Sequence, residues 1–276
     1  MITLEQLQAG IVIPIDKPRQ WTSFQAVNKV KSFIRNTYGL KKFKIGHAGT
    51  LDPLATGLLL VCIGKATKTI PQLQDGDKVY TGTMVFGATT PCFDLERPID
   101  CHYPFEHITQ ALLDETVKKF TGTILQVPPM FSAVKIDGQR AYEYARRDQQ
   151  GATVSQSSDD PTVTIQPKAV NVYSFEITDF RKGVKEEQRV QGVQDNSHTT
   201  HLYMNPLGVV PPQLPQADFR IHCGKGTYIR SLARDLGEAV GSGAFLSALR
   251  REHVGDYSVD QAITLDQLEQ FFIQQN

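Results

Sequence analysis

The stretch Lys44-Ile45-Gly46-His47-Ala48-Gly49-Thr50-Leu51-Asp52-Pro53-Leu54-Ala55-Thr56-Gly57-Leu58-Leu59-Leu60-Val61-Cys62-Ile63-Gly64-Lys65-Ala66-Thr67-Lys68 organises the rest of the chain. Its glycines let the backbone turn tightly or approach a ligand closely. A single carboxylate, Asp52, sits in the middle with the stiff Pro53 behind it. The apolar run Leu58 to Ile63 reads as a buried strand that anchors the loop. A lone acid on a glycine-rich loop fixed to a rigid element suits a nucleophile. It equally suits an Asx-turn residue ahead of a proline.

Working outward, Lys17, Arg19, Lys29, Lys31, Arg35, Lys41, Lys42, Lys44, Lys65 and Lys68 surround the loop, and Asp52 is the only acid from Lys17 to Lys68. The whole chain has formal net charge +0, so this basic patch is local rather than compositional. A basic face on a neutral protein fits a polyanion, most simply nucleic acid. The alternative is a solvated charged surface.

A chain of 276 residues with 40% hydrophobic and 21% charged residues has ordinary globular composition. No apolar run is long enough to span a membrane, and the N-terminus shows no basic region followed by an apolar one. Cys62, Cys92, Cys101 and Cys223 have no paired spacing. That argues against a zinc site or a disulfide framework and fits free thiols in the cytoplasm. Gly57 to Lys65 fails as a phosphate loop, because the glycine spacing is wrong and Ala66 stands where Ser or Thr is required.

Strands are expected over Ile11–Ile15, Leu58–Ile63, Lys78–Gly87 and Ala217–Cys223, with one or two more over Thr162–Phe180. Helices are expected from an N-cap at Ser23 to Gly39, over Thr109–Phe120 with Gly122 as the stop, over Ala141–Arg147, over Thr227–Val240, and over Leu265–Ile273. Residues Val127–Lys135 read as extended around Pro128-Pro129. Strands and helices are interspersed without βαβ alternation, which predicts an α+β fold around a largely antiparallel sheet.

The run Gly46 to Gly57 resembles the signature of the TruB-type tRNA pseudouridine synthases. Further segments match in order: Asp16-Lys17-Pro18, Lys78-Val79-Tyr80, Val127 to Lys135, Tyr142-Glu143-Tyr144-Ala145-Arg146, Gly226-Thr227-Tyr228-Ile229-Arg230-Ser231-Leu232, and Leu249-Arg250-Arg251. The resemblance spans roughly residues 10 to 265. It implies the pseudouridine-synthase fold, with a curved, mostly antiparallel mixed sheet, flanking helices and a central cleft. It implies one catalytic domain over residues 1–276. The activity implied is isomerisation of uridine 55 in the T arm of tRNA, by a cytoplasmic monomer that uses no cofactor and no metal.

The same resemblance implies roles for single residues. Asp52 is the nucleophile and Arg230 the arginine that pairs with it. Tyr80 stacks on the target base and takes part in proton transfer, although by itself it reads as a core strand residue. Tyr228 contacts the substrate nucleotide, Leu249 lines the base pocket, and Lys17 supports the site. The target uridine is flipped out of the T loop, and His47 enters the space left behind. The segment Gln126–Gln150 resembles a loop that folds over the T arm, with Lys135, Arg140, Arg146 and Arg147 meeting phosphates. Two departures stand out. Arg181–Gln216 is a long polar insertion, and no C-terminal RNA-binding PUA domain follows. The latter implies weaker contact with the acceptor side of tRNA and argues against the guide-RNA-dependent branch. Other readings are an inert RNA-binding relative, a synthase that also takes T-arm-like hairpins in other RNAs, and a phosphate-ester enzyme, which no metal-binding carboxylate cluster supports.

Overall fold

In a computed structural model of the protein, residues 2–132, 135–136, 139–140, 165–183 and 210–274 are described. The elements in chain order are α1 (Leu4–Ala9), β1 (Ile11–Lys17), α2 (Ser23–Tyr38), β2 (Ile45–His47), β3 (Thr56–Ile63), α3 (Ile70–Asp75), β4 (Lys78–Phe86), β5 (Ala88–Thr89), β6 (Cys101–His102), α4 (Gln110–Thr116), β7 (Gly122–Gln126), β8 (Lys135–Ile136), β9 (Gln139–Arg140), β10 (Lys168–Arg181), β11 (Gln216–Cys223), α5 (Ile229–Ala239), β12 (Ala244–Val254), β13 (Tyr257–Ser258) and α6 (Leu268–Gln274). The chain divides into two compact units: residues 1–82, 220–225 and 248–276 form the first, and 83–219 with 226–247 the second.

In the first unit the strand order is β1-β3-β12-β4-β11, with β2 added to β3 and β13 to β12. β1 runs antiparallel to β3, pairing Lys17 with Gly57, and β12 runs parallel to β3, pairing Arg251 with Gly57. The β3 run Gly57 to Ile63 is buried throughout, as a strand covered on both faces must be. Helix α2 lays Ala26, Val27, Val30 and Ile34 into the core, the spacing of one helical face. Its stop is Gly39 in the left-handed conformation, φ 66°, which glycine adopts without a Cβ clash.

Its start differs from the expectation. The cap is Thr22, which forms a capping box with Gln25, and Ser23 is the first helical residue. Either hydroxyl could cap a helix, but the Ser23 hydroxyl is engaged by the 48–55 loop instead.

The second unit orders its portions of β12, β4 and β11 with β10 and β7, as β12-β4-β11-β10-β7. Residues 168–181 form one long strand. Helix α4 is capped by Thr109 and ends in a 3₁₀ turn over Val117–Phe120, followed by Gly122 at φ 86°. Helix α5 buries Ile229, Leu232, Ala233 and Leu236, and with them Arg230 and Ser231.

The expected helix over 141–147 and the phosphate-contacting Arg146 and Arg147 lie outside the described residues, as do 184–209 of the insertion. The chain on either side of that insertion is tightly joined. Arg181 pairs bidentately with Asp218, at 2.6 and 2.7 Å.

The strand β12 was not anticipated. Its sequence, Ala-Phe-Leu-Ser-Ala-Leu-Arg-Arg-Glu-His-Val, is rich in helix formers, and pairing with neighbouring strands overrides that local preference.

Candidate active site

Asp52 lies half-buried in the loop between β2 and β3. Bonds to residues outside the loop, and one within it, hold it in place. The Ser23 hydroxyl accepts from the Leu51 N–H at 2.9 Å and donates to the Leu51 carbonyl at 3.2 Å. Gln20 N–H donates to the Pro53 carbonyl at 2.8 Å, and Ala55 N–H to the Asp52 carbonyl at 3.1 Å. Ala48 N–H donates to the Leu60 carbonyl at 2.9 Å. A carboxylate on a loop pinned this way has little freedom to wander.

Lys17 is 0% exposed. Its Nζ donates to the carbonyls of Pro18 at 2.9 Å, Trp21 at 2.6 Å and Pro53 at 3.3 Å. Burial pushes its pKa down to about 8, and the Asp52 carboxylate opposes that shift. Lys17 therefore supports the loop through Pro53 and supplies positive charge beside Asp52. Asp16, next to it on β1, binds Arg250 of β12 bidentately at 2.8 and 3.0 Å.

Arg251 is the residue that the sequence reading missed. It is 2% exposed and donates Nε–H to the Leu58 carbonyl at 2.8 Å, Nη1–H to Thr50 at 3.4 Å and Nη2–H to Gly49 at 3.2 Å. The pair Arg250-Arg251 on a strand carried the available signal, since alternate strand residues face opposite sides. Without knowledge that residues 244–254 are a strand, that signal could not be read.

Tyr80 on β4 is 9% exposed. Burial raises its pKa. The Arg251 charge counters that rise, while Asp52 adds to it. Tyr80, Arg251 and Asp52 are thus electrostatically coupled, as are Lys17 and Asp52. His47, at the end of β2, is half-buried; burial first and the Arg251 charge second push its pKa down. Its ring is neutral at neutral pH, an aromatic plane able to stack. Leu249, two residues before Arg251 on β12, is half-buried. The first unit thus contains Lys17, His47, Asp52, Tyr80 and Leu249 together.

Tyr228 and Arg230 belong to the second unit. Arg230 is buried, at 5% exposed, so it is not a surface residue of its helix. It donates to the Cys92 carbonyl at 3.1 Å and the Phe131 carbonyl at 2.9 Å, with Nε 3.8 Å from a buried Asp94 carboxylate oxygen. Tyr228 caps α5 without a side-chain cap bond of its own. Its backbone is held by the buried Gln126: Tyr228 N–H donates to Oε1 at 2.8 Å, and Nε2–H donates to the Tyr228 carbonyl at 3.1 Å. Ser231 also reaches this segment, donating to the Val127 carbonyl at 2.8 Å. Asp94 and Gln126 were not singled out by sequence, for Arg230 and Tyr228, which they meet here, are more than 100 residues away.

Among the described residues no group of three or more His, Cys, Asp or Glu could hold a metal ion, and no helix is long and apolar enough to cross a membrane.

Comparison with known proteins bears on this arrangement. Residues 35–229, which include Asp52, Tyr80 and Tyr228, match the model for the TruB family pseudouridylate synthase N-terminal domain. Residues 230–276 match the tRNA pseudouridylate synthase B C-terminal domain. The chain is 46% identical over 270 residues to the tRNA pseudouridine synthase B of Flavobacterium johnsoniae, covering 98% of this chain and 99% of the relative. It is 40% identical over 266 residues to that of Phocaeicola vulgatus, covering 96% and 94%. Among solved structures, a chain of a Cbf5-Nop10-Gar1 complex superposes with a TM-score of 0.59 at 25% identity, covering 96% of this chain and 55% of that one. This chain thus spans about half the length of that solved chain. The α+β architecture is the pseudouridine-synthase fold expected from the sequence. With family models matched from residue 35 to the last residue, and an acid loop built as described, the chain belongs to the TruB family of pseudouridylate synthases.

Proposed function

We propose that this protein converts a uridine of tRNA, uridine 55 of the T arm, to pseudouridine, with Asp52 as the nucleophile. The observation that carries the reading is the Asp52 loop. Its carboxylate is half-buried, its backbone is pinned from β1, α2 and β12, and it lies within the residues matched to the family.

The reaction breaks the N1–C1′ bond of uridine, turns the uracil and joins C5 to C1′. N1 gains a proton and C5 loses one, so there is no redox change. Asp52 adds to the sugar at C1′, to the base at C6, or after formation of a glycal, and leaves again. Tyr80 stacks on the base and serves the proton transfer with its hydroxyl. Arg230 is the arginine that the family resemblance assigns to Asp52, and Tyr228 and Leu249 hold the nucleotide. The uridine is flipped from the T loop at a cost of a few kcal/mol, which the neutral ring of His47 offsets by filling the vacated space. Lys17 stabilises the Asp52 loop. The basic residues from Arg19 to Lys68 and the segment 126–150 supply phosphate contacts. The protein acts as a cytoplasmic monomer without a cofactor.

The test is conversion of a T-arm stem-loop RNA, with the same RNA carrying cytidine at the target position as control. Pseudouridine confined to the uridine RNA is expected. Asp52→Asn should bind that RNA within about threefold of wild type while forming no pseudouridine. Normal turnover by that variant would remove Asp52 from the mechanism.

A further inference from the structure

Three cations of the first unit are buried: Lys17, Lys78 and Arg251. Lys78 ends on nearby backbone carbonyls, those of Gln74 at 2.5 Å and Gly76, and Lys17 reaches the loop at one point only, the Pro53 carbonyl. Arg251 is different, because its three carbonyl acceptors flank Asp52 in sequence. Gly49 and Thr50 precede the acid and Leu58 follows it. One planar guanidinium therefore ties the start of the loop to the strand that follows it. A lysine ammonium, as a point charge on a flexible stem, cannot reproduce that fork.

The strand register brings the guanidinium there. Gly57 of β3 stands opposite Lys17 of β1 on one side and Arg251 of β12 on the other. A Cβ on Gly57 would fall 2.4 Å from the Arg251 carbonyl, so the strands approach this closely only because the residue is glycine. The charge of the same guanidinium also acts on the Tyr80 phenol and opposes the upward shift that burial causes.

We propose that Arg251 is a positioning residue of the pseudouridine-forming site, one buried guanidinium that ties the start of the Asp52 loop to the strand that follows it. The assignment rests on the reading of Asp52 and Tyr80 given above. The titratable groups that its charge reaches are Lys17 from β1, His47 from β2, and Lys78 and Tyr80 from β4. Its charge lowers the pKa of Lys17, His47, Lys78 and Tyr80. Geometry and field thus converge on the same guanidinium.

The experiment compares wild type, Arg251→Gln and Arg251→Lys by single-turnover conversion and Kd for the T-arm RNA. Histidine NMR titration follows the His47 imidazole, assigned with His47→Asn. Misplacing a reacting group by about 1 Å costs on the order of 100-fold in rate. Both variants should therefore lose about that much in kcat, with Kd within about threefold of wild type. The His47 midpoint should rise in Arg251→Gln, which lacks the cation, and stay near wild type in Arg251→Lys, which keeps it.

A folded variant of either kind with kcat within about threefold of wild type, or with its loss confined to KM, would overturn the proposal. If only one variant folds, that one decides. If neither folds, the wild-type His47 midpoint decides, and a value at or above that of a free imidazole overturns the placement. Wild type that forms no pseudouridine would instead sink the functional reading itself, so the two failures are distinguishable.

Discussion

The hydroxyl of Ser23 satisfies both backbone groups of Leu51, accepting from its N–H at 2.9 Å and donating to its carbonyl at 3.2 Å. One small side chain on the first turn of α2 thus fixes the peptide immediately before Asp52. Ser23→Ala leaves two buried backbone groups without this partner, which costs about 1–3 kcal/mol for each unsatisfied group. We expect a drop in urea midpoint together with at least a tenfold fall in kcat, since about 1 Å of misplacement costs on the order of 100-fold. Single-turnover conversion by a folded Ser23→Ala protein checks this, and an unchanged kcat would show that the loop holds itself.

Gly57 is a second weak point. Its φ of +97° is one that L side chains rarely adopt, and a Cβ would meet the Arg251 carbonyl at 2.4 Å and its amide nitrogen at 2.8 Å, both backbone atoms. Neither can swing away as a flexible side chain would. Gly57→Ala should therefore destabilise the protein by more than about 3 kcal/mol. Gly39→Ala, at φ 66° but with open space around the added Cβ, should cost only the strain of the left-handed conformation, about 1–2 kcal/mol. Chemical denaturation of the two variants checks the ranking, and equal losses would contradict it.

Lys17 makes stability depend on pH. Its folded-state pKa is pushed down to about 8 from an ordinary 10.5, chiefly by burial. Between those values the unfolded chain binds the extra proton, so this residue's contribution to stability rises with pH. Below about 8 its burial costs on the order of 3 kcal/mol, and the cost is relieved as pH climbs toward 10.5. Lys17→Met removes the titration. The difference in unfolding free energy between wild type and Lys17→Met should move in favour of wild type across that window. A flat difference would show that Lys17 titrates normally.

Gln126 and Tyr228 form an exchange of the kind that two paired strands make, with a side-chain amide in place of a backbone. Gln126→Leu keeps the volume and removes the Gln126 partner of the Tyr228 N–H, while the Tyr228 carbonyl keeps the Leu232 N–H at 3.1 Å, whereas Gln126→Glu keeps an acceptor for Tyr228 N–H and loses the donor. Stability and kcat should fall in the order wild type, Gln126→Glu, Gln126→Leu, with about 1–3 kcal/mol for each unsatisfied group. Thermal unfolding and single-turnover assays read the order. Retained kcat in a folded Gln126→Leu protein would mean that the Tyr228 backbone needs no external clamp.

The sequence by itself determined what is written locally. Asp52 stood alone in a basic, glycine-rich loop, and its family signature needed no coordinates. The apolar spacing of Ala26, Val27, Val30 and Ile34 located α2, and Gly39 marked its end because only glycine takes that backbone cheaply. Thr109 and Gly122 bracketed the helical stretch between them.

What only the tertiary structure decided concerns partners far apart in the chain. Thr22 rather than Ser23 caps α2, because Leu51 engages the second hydroxyl. Residues 244–254 form a strand against their own helical propensity because neighbouring strands satisfy their backbone groups. Arg251, unremarkable in a row of letters, becomes a buried cation with the carbonyls of Gly49, Thr50 and Leu58 around it. Propensity and periodicity act over a few residues, whereas a buried charge is tolerated only where distant backbone groups converge on it, and that convergence exists only in the folded chain.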